Sequence, residues 1–276
     1  FSHRDEFGQW DHQDQQMIVG DLLDQAALGK AIDGCEVVYN FAAIADLDEA
    51  LQKPVETARI NVLGNVQILE ACRKFGISRY VYASTVYVYS RDGGFYRCSK
   101  QAAEHYVEEY QRSYGLDYTI LRYGSLYGPR SDHRNGLWRI VKNALETGLV
   151  SYEGSPESLR EYIHVADAAR ASVDALREEF CNEHLVLTGH EPMRVLDLLE
   201  MVLGYAGEGD ELLHLHKLVL IHRRLLRHGR QQTVLAHSSV VTNSPNLCAV
   251  IRRVGFFMYK STFEGGTINR LGAVDD

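Results

Sequence analysis

The first two-thirds of the chain alternates short apolar runs with longer amphipathic ones, and this alternation restricts its fold more than any other feature. Runs such as "CEVVYNFAA" and "SRYVYASTVYVYS" are typical of buried strands, whereas "YRCSKQAAEHYVEEYQRSYG" has apolar residues at helical spacing and stops at Gly115. Strands that alternate with helices indicate parallel β-α units with helices on both faces of a sheet. The sequence therefore predicts an α/β fold with a doubly wound parallel sheet.

The pattern divides the chain into three regions. Residues 1–128 carry the alternation, residues 129–207 predict a smaller mixed α/β region, and residues 208–276 lose the periodicity. The last region is rich in His and Arg. It fits a basic amphipathic helix, for which a membrane-surface role is the alternative reading. An altered reading frame is a further hypothesis for this region.

Composition and charge exclude several classes of protein. The formal net charge of -8 argues against a nucleic-acid binder, since phosphate binding needs a basic face. The 5 cysteines are scattered without a C-x-x-C pair, which is typical of reduced thiols in the cytoplasm. His214, His216 and His222 lack tetrahedral spacing and a partner Cys, so we predict no metal site. No apolar run is long enough to span a membrane.

Tyr96 and Lys100 are the first candidate for chemistry. Four residues apart on a predicted helix, they share one face. A nearby ammonium lowers the pKa of a phenol, and such a Tyr can exchange a proton near neutral pH. With 16 Tyr in the chain, a chance Y-x-x-x-K on a solvated helix face is the competing interpretation.

Ser84 and Thr85 strengthen that candidate. They lie where the strand "YVYAST" should end, and ligands of open parallel sheets bind at the carboxyl ends of strands. A hydroxyl there can bond both a substrate hydroxyl and the Tyr oxygen. The alternative is a pair of hydroxyls that cap a strand end.

The run "YVYASTVYVYS…FYRCSKQAAEHY…LRYGSLYGPR…REYIHVADAARAS" resembles the extended short-chain dehydrogenases/reductases, and among them the NAD-dependent epimerase/dehydratase family. The resemblance covers roughly residues 16 to 205 and implies a Rossmann-like sheet with a substrate-side region at 129–207. It implies that Thr85, rather than Ser84, is the catalytic hydroxyl, that Tyr96 is the acid/base and that Lys100 is its partner.

The resemblance also implies binding residues. Those near an NAD cofactor are Asp21, Leu22, Phe41, Ala42, Ala43, Asn61, Ser84, Tyr96, Lys100 and Tyr123. Those near a nucleotide-sugar substrate are Thr85, Ser125 and Arg160. The alternatives are plain core for Phe41 to Ala43, packing for Asn61, and a surface ion pair with Glu157 or Glu161 for Arg160. Ser125 stands where many relatives have Asn.

The sequence departs from the family's pattern at three places, one of which is the tail after about residue 208, which does not resemble the family's substrate-side C-terminus. The fingerprint G-x-x-G-x-x-G, which places pyrophosphate on a helix N-terminus, is absent before "MIVGDLLD", and we expect an N-terminal truncation of one β-α-β unit. Such a chain should bind NAD poorly and leave a sheet edge open. In addition, Val86 and Tyr87 follow Thr85, where the sugar dehydratases of this family carry an acidic pair.

These features predict an NAD-dependent nucleotide-sugar epimerase that oxidises C4 transiently. The alternatives are an NAD(P)-dependent sugar reductase or dehydrogenase, and an inactive or non-catalytic nucleotide-binding relative. NADP is not excluded as the cofactor, because the residue that reads the 2′-hydroxyl belongs to the expected missing unit. The helices around residues 55 to 74 and 96 to 113 resemble the pair that forms a four-helix interface in this family, which implies a homodimer.

Overall fold

The computed structural model describes residues 15–152, 154–189, 192–206, 234–235, 253–260 and 268–275. The chain forms two compact units. The first comprises Phe1–Arg122, Ala175–Leu185 and Asn243–Asp276, and the second comprises Tyr123–Asp174 and Val186–Thr242.

The elements follow the alternation that the sequence predicts. The strands are β1 (Gln15–Val19), β2 (Val37–Phe41), β3 (Arg79–Thr85), β4 (Tyr118–Tyr123), β5 (Ser125–Tyr127), β6 (Leu159–His164), β7 (Glu183–Thr188), β8 (Pro192–Arg194), β9 (Val234–Leu235), β10 (Arg253–Lys260) and β11 (Ile268–Asp275). The α-helices are α1 (Gln25–Ile32), α2 (Leu47–Gln52), α3 (Pro54–Ala58), α4 (Asn65–Phe75), α5 (Gly94–Tyr114), α6 (Gly136–Thr147), α7 (Val165–Asp174) and α8 (Val195–Ala206). A π-helical segment, Arg59–Gly64, joins α3 to α4, and two 3₁₀ turns span Val86–Tyr89 and Glu178–Phe180.

The sheet of the first unit has the strand order β1-β11-β10-β2-β3-β4-β7. Strands β2 and β3 pair in parallel, with Val38 opposite Tyr80, which confirms the parallel arrangement expected of consecutive β-α units. Strand β10 pairs in parallel with β2, whereas β11 is antiparallel to both β10 and β1. The tail therefore supplies two strands between β1 and β2, and β10 pairs with the backbone groups that the edge of β2 would otherwise expose. The His-rich stretch that predicts a basic helix lies outside the described residues.

Local signals set the helix boundaries around this sheet. The Asp24 carboxylate caps α1 by accepting from the amides of Ala26 and Ala27, at 2.9 and 3.2 Å. Helix α4 ends at Gly76 (φ 70°), a left-handed conformation that a residue without Cβ adopts freely. The apolar faces of these helices cover the sheet, and the buried side chains of the resulting core include Leu28, Ile32, Ile68, Leu69, Tyr80, Tyr82 and Ile120.

The second unit contains a three-stranded sheet of order β5-β6-β8, in which β5 and β6 are parallel and β8 is antiparallel to β6. Helices α6 and α8 bury one apolar cluster, formed by Tyr127, Ile140, Val141, Ala144, Leu198 and Val202. In this unit β9 pairs with the end of β7.

The apolar run "LDYTILRYGSLYG" predicts one continuous strand, and this prediction is wrong, because β4 ends before Gly124 and β5 starts after it. The Gly124 amide donates to the carbonyl of Leu187 at 3.0 Å. A Cβ at Gly124 would lie 2.7 Å from the carbonyl oxygen of Glu161. The backbone thus approaches so closely here that only glycine fits, and the strand breaks at that point.

No described helix has the length and apolar character needed to cross a bilayer. The same part of the chain has no group of three or more His, Cys, Asp or Glu side chains arranged to hold a metal ion. The three histidines of the tail lie outside it.

Candidate active site

Strand β3 delivers two hydroxyl groups to its carboxyl end, and each has a different partner. Ser84 and Thr85 are both buried, at 4% and 5% exposure. The Ser84 hydroxyl donates to the carboxylate of Glu104. The Thr85 oxygen accepts from the amide of Tyr87 at 3.2 Å and starts the 3₁₀ turn that leads away from the sheet. The Thr85 side chain also faces the phenol of Tyr96, close enough to stabilise its phenolate form.

A tight loop returns the chain from this turn to helix α5. Gly93 has φ 88° and Gly94 has φ 48°, both in the left-handed region. A Cβ at Gly93 would lie 3.1 Å from the ring of Tyr87. Glycine at this position therefore allows α5 to begin directly beside the turn, with Tyr96 on its first turn and Lys100 one turn later.

Tyr96 lies between a hydroxyl donor and apolar surroundings. Burial raises the pKa of its phenol, while the hydrogen bond from Thr85 to the phenolate form lowers it. Its ring remains partly exposed. An acid/base role near neutral pH requires further stabilisation of the phenolate, and a neighbouring cation is the physical means for it.

Lys100 is the cation next to Tyr96. Its side chain is 3% exposed, and its Nζ donates to the carbonyl of Ala83 at 2.6 Å. The same Nζ lies 4.7 Å from the centre of the Tyr82 ring and 5.8 Å from that of Tyr96. Burial lowers the pKa of Lys100 to about 7, and the Glu104 carboxylate opposes that shift. Lys100 is therefore a group whose charge changes near neutral pH.

Asn61, in the π-helical segment, uses its whole side-chain amide in buried hydrogen bonds. Its Oδ1 accepts from the Ile44 amide at 2.8 Å, and its Nδ2 donates to the Ile44 carbonyl at 3.0 Å and to the Ser99 hydroxyl at 2.9 Å. Ser99 in turn donates to the carbonyl of Tyr96 at 2.7 Å. Asn61 thereby joins the loop after β2 to the turn of α5 that carries Tyr96.

Replacing Asn61 with Ala is expected to lower the free energy of unfolding by about 2–4 kcal/mol, because buried amide, carbonyl and hydroxyl groups lose their partner. Urea unfolding followed by circular dichroism measures the change. The control is Asn143→Ala, since the Asn143 side chain donates to an exposed carbonyl, that of Leu149. Equal losses in the two variants would contradict the structural role of Asn61.

The other residues predicted near a cofactor in the first unit follow strands β1 and β2. Asp21 is exposed, and its carboxylate accepts from the Leu23 amide at 2.8 Å. Leu22 is a core residue at 2% exposure. Phe41 stacks on Tyr39, and the amide of the buried Ala42 donates to the Asn40 side chain at 2.9 Å. Ala43 is partly exposed.

Three predicted residues belong to the second unit. The Tyr123 hydroxyl lies 2.6 Å from that of Ser172, and burial raises the pKa of Tyr123 to about 12. Ser125 lies opposite Tyr162 in the parallel pair β5–β6. Arg160 on β6 donates to the Tyr152 hydroxyl at 3.4 Å.

Two residues beside the site were missed by sequence reasoning. Glu104 is 5% exposed and lies one turn after Lys100 on α5. Its carboxylate accepts from Arg122, with Nη2 at 2.7 Å. The only sequence signal is their spacing: Glu104 continues the face of Tyr96 and Lys100, and Arg122 ends a strand. Acidic and basic side chains are so often solvent-exposed that the pair cannot be recognised without the fold.

Comparison with known proteins places this arrangement in a family. The model of the NAD dependent epimerase/dehydratase family matches residues 2–187. The chain belongs to this family.

Relatives within the family include both reaction types. The dTDP-glucose 4,6-dehydratase of Streptomyces niveus is 24% identical over 212 residues, which are 72% of this chain and 63% of that protein, so the chain spans less than two thirds of that relative's length. A crystal structure of the UDP-glucose 4-epimerase of Thermotoga maritima with UDP-glucose superposes with a TM-score of 0.64 at 25% identity, over 70% of this chain and 68% of that one. The UDP-glucose 4-epimerase of Thermus thermophilus in complex with NAD gives 0.60 at 29% identity, over 70% and 69%.

The family's description and the names of these relatives specify a cofactor and a class of substrate. The family is NAD-dependent, and the members named above are nucleotide-sugar enzymes. Thr85, Tyr96 and Lys100 lie together in the first unit of this chain, in the order along the sequence that the motif predicts.

Proposed function

We propose that this protein is an NAD-dependent nucleotide-sugar epimerase that inverts the configuration at C4. The observation that carries the proposal is the contact of Thr85 with Tyr96 next to the buried ammonium of Lys100. A phenol, a hydroxyl and a cation in this arrangement suit the removal of a proton from a sugar hydroxyl and its later return. When bound, NAD⁺ would accept the C4 hydride and give it back.

The chain's own residues handle the proton. Tyr96 releases its phenol proton to solvent and then, as the phenolate, takes the proton of the C4 hydroxyl; the Lys100 ammonium lowers the free energy of that phenolate. Thr85 donates to the phenolate and orients the sugar hydroxyl. Burial of Lys100 strengthens its field at the Tyr96 oxygen, because less solvent screens it.

The described residues fit the ribose, nicotinamide and adenine of NAD better than its phosphates. Lys100 and Tyr96 suit the ribose and nicotinamide, and the exposed Asp21 suits the adenine end, as the family resemblance implies. The loop after β2 offers few backbone N–H donors to the phosphates of NAD. The Ala42 and Ile44 amides donate to Asn40 and Asn61, so these N–H groups are already engaged. The sequence has no G-x-x-G-x-x-G loop, which would supply further N–H groups for the phosphates. NADP remains the alternative cofactor.

The turn after Thr85 favours an epimerase over a dehydratase. Elimination of water from the sugar requires an acid and a base near C5 and C6, and the family's dehydratases place an acidic pair directly after the catalytic Thr. Here Val86 and Tyr87 form the start of the 3₁₀ turn. The nearby carboxylate of Glu104 is engaged with Ser84 and Arg122.

The residues proposed to hold the substrate lie in the second unit. Arg160 suits the nucleotide diphosphate, since its planar fork binds phosphate bidentately. Tyr123 and Ser125 are proposed near the nicotinamide and the sugar. The homodimer also remains a proposal. It has support from exposed apolar side chains on the two helical segments concerned, namely Val55, Leu63, Phe95 and Tyr106.

The assay that tests the function supplies the protein with NAD⁺ and a UDP- or dTDP-hexose. Inversion at C4, read by proton NMR of the sugar, is expected without net absorbance change at 340 nm. A change in absorbance at 340 nm that is stoichiometric with the sugar converted would mean that the protein is a sugar reductase or dehydrogenase and not an epimerase. Cofactor binding without conversion of any of these sugars would indicate a non-catalytic relative.

A further inference from the structure

A buried carboxylate follows Lys100 on the same face of helix α5. Glu104 is one turn further along α5, and its side chain is 7% exposed. Its two oxygens accept from the Ser84 hydroxyl and from Arg122, whose Nε and Nη2 lie at 3.1 and 2.7 Å. The bidentate Arg contact is a strong and directional form of ion pair. Helix α5 is thus joined to the end of β3 and to β4.

Arg122 extends these contacts to the turn after Thr85. Its Nη1 donates to the Tyr89 hydroxyl at 2.6 Å, and the guanidinium carbon lies 4.9 Å from the centre of the Tyr89 ring. Its Nη2 also lies 2.8 Å from Nδ1 of His184. An acceptor Nδ1 implies a neutral imidazole, in agreement with the pKa of His184, which burial and Arg122 lower.

We propose that Glu104 and Arg122 are a positioning pair for the proton-transfer site. The pair holds the strand end, the turn after Thr85 and helix α5 in one arrangement, and its carboxylate supplies a buried negative charge that favours the ammonium form of Lys100. This inference rests on the proposed function, and neither residue is assigned a contact with substrate or cofactor.

Among the described residues, the titratable groups near Lys100 come from its own helix, from strands of the sheet and from the turn after Thr85. Tyr82 approaches from β3, and Tyr96 and Glu104 belong to its own helix. Tyr87, on the turn, acts on Tyr96, while Arg122 on β4 and His184 on β7 lie beyond Glu104. Of these groups Glu104 favours the ammonium, against the burial that disfavours it. Arg122 is required because the charge of a buried carboxylate is costly without a cation beside it.

The test measures the ionisation of Lys100 itself. Lysine labelled with ¹³C at Cε reports the pKa by NMR in the full chain, and Lys100→Arg identifies the resonance. Glu104→Gln is expected to lower the pKa of Lys100 by about one unit, a roughly tenfold smaller proton affinity. The matched control is Glu108→Gln, which removes a carboxylate one turn further along the same helix that pairs with His184. A shift in Glu104→Gln no larger than in Glu108→Gln would overturn the proposal.

A second variant covers the case in which Glu104→Gln does not fold. The double variant Glu104→Gln/Arg122→Met removes the carboxylate and its guanidinium partner together, so neither ion of that pair is left without the other, and a drop in the pKa of Lys100 is expected there too. An unchanged pKa in a folded double variant would overturn the proposal.

Activity gives an independent readout. The alkaline limb of the kcat profile for C4 inversion is expected to move to lower pH in Glu104→Gln, by the same shift as the pKa. Glu104→Asp, which keeps the charge, should keep the position of that limb. The NMR titration needs no substrate. A pKa shift without any epimerase activity would therefore refute the proposed function and leave the charge role of Glu104 in place.

Discussion

Replacing Tyr96 with Phe is expected to reduce kcat for C4 inversion by roughly 10²- to 10⁴-fold, the usual contribution of a positioned acid/base. The substitution removes the hydroxyl that Thr85 contacts and keeps the ring beside Lys100. KM for the nucleotide sugar should change little, because the proposed contacts to the nucleotide come from other residues. Steady-state kinetics with NMR detection of the product measures both constants.

The control for this substitution is Tyr106→Phe on the same helix, whose ring is 46% exposed. It changes the same hydroxyl at a surface position and should leave kcat within about twofold, as surface changes usually have small effects. Full activity of Tyr96→Phe would show that Tyr96 is not the acid/base of the reaction. A parallel loss in both variants would point to general damage to helix α5.

Replacing Lys100 with Met is expected to abolish turnover and to make the protein more stable below pH 7. Folding buries Lys100 as an ammonium at low pH, and its pKa falls from the ordinary 10.5 to about 7. Between these two values the unfolded chain holds a proton that the folded chain has lost. Wild-type stability therefore rises with pH through this window, and the penalty of the buried charge is largest below pH 7.

The measurable quantity is the difference in free energy of unfolding between Lys100→Met and wild type. It should fall by about 2 kcal/mol from pH 6 to pH 9, once the ideal value for such a pKa shift is reduced for relaxation of the site. Met fills the same volume, although the Ala83 carbonyl loses its donor. Urea unfolding of both proteins at pH 6 and pH 9 measures this difference in free energy.

Lys74→Met is the matched control, since Lys74 is exposed near the end of α4. Its effect on stability should not depend on pH in this range. A difference between Lys100→Met and wild type that stays constant from pH 6 to 9 would mean that Lys100 keeps an ordinary pKa in the folded protein.

The sequence predicted the local parts of the candidate site well, for reasons of chain geometry. The apolar run before Ser84 and Thr85 indicates a strand that ends there, and the four-residue spacing puts Tyr96 and Lys100 on one helix face. The structure confirms both elements, β3 and α5. Gly115 ends α5 with φ 72°, as its position predicts.

Other features escaped prediction because they depend on backbone approach between distant segments. Gly124 breaks the predicted strand because the Glu161 carbonyl lies against it. The π-helical segment around Asn61 interrupts an otherwise regular apolar pattern, and its buried amide bonds reach Ile44 and Ser99. The contacts of Gly124 and Asn61 do not change the spacing of apolar residues along the sequence, so periodicity cannot predict them.

What the sequence determined by itself is the alternation of strands and helices, and with it the order in which Thr85, Tyr96 and Lys100 follow one another. Tertiary structure alone decided that Glu104 is buried and that the partly buried Arg122 pairs with it. A charged side chain on an amphipathic helix is normally solvated, and its partner is 18 residues away on a strand. The tertiary structure also decided the surroundings of Lys100, and hence its charge. The free energy of an ammonium depends on its burial and on neighbouring charges, and only the folded chain brings these together.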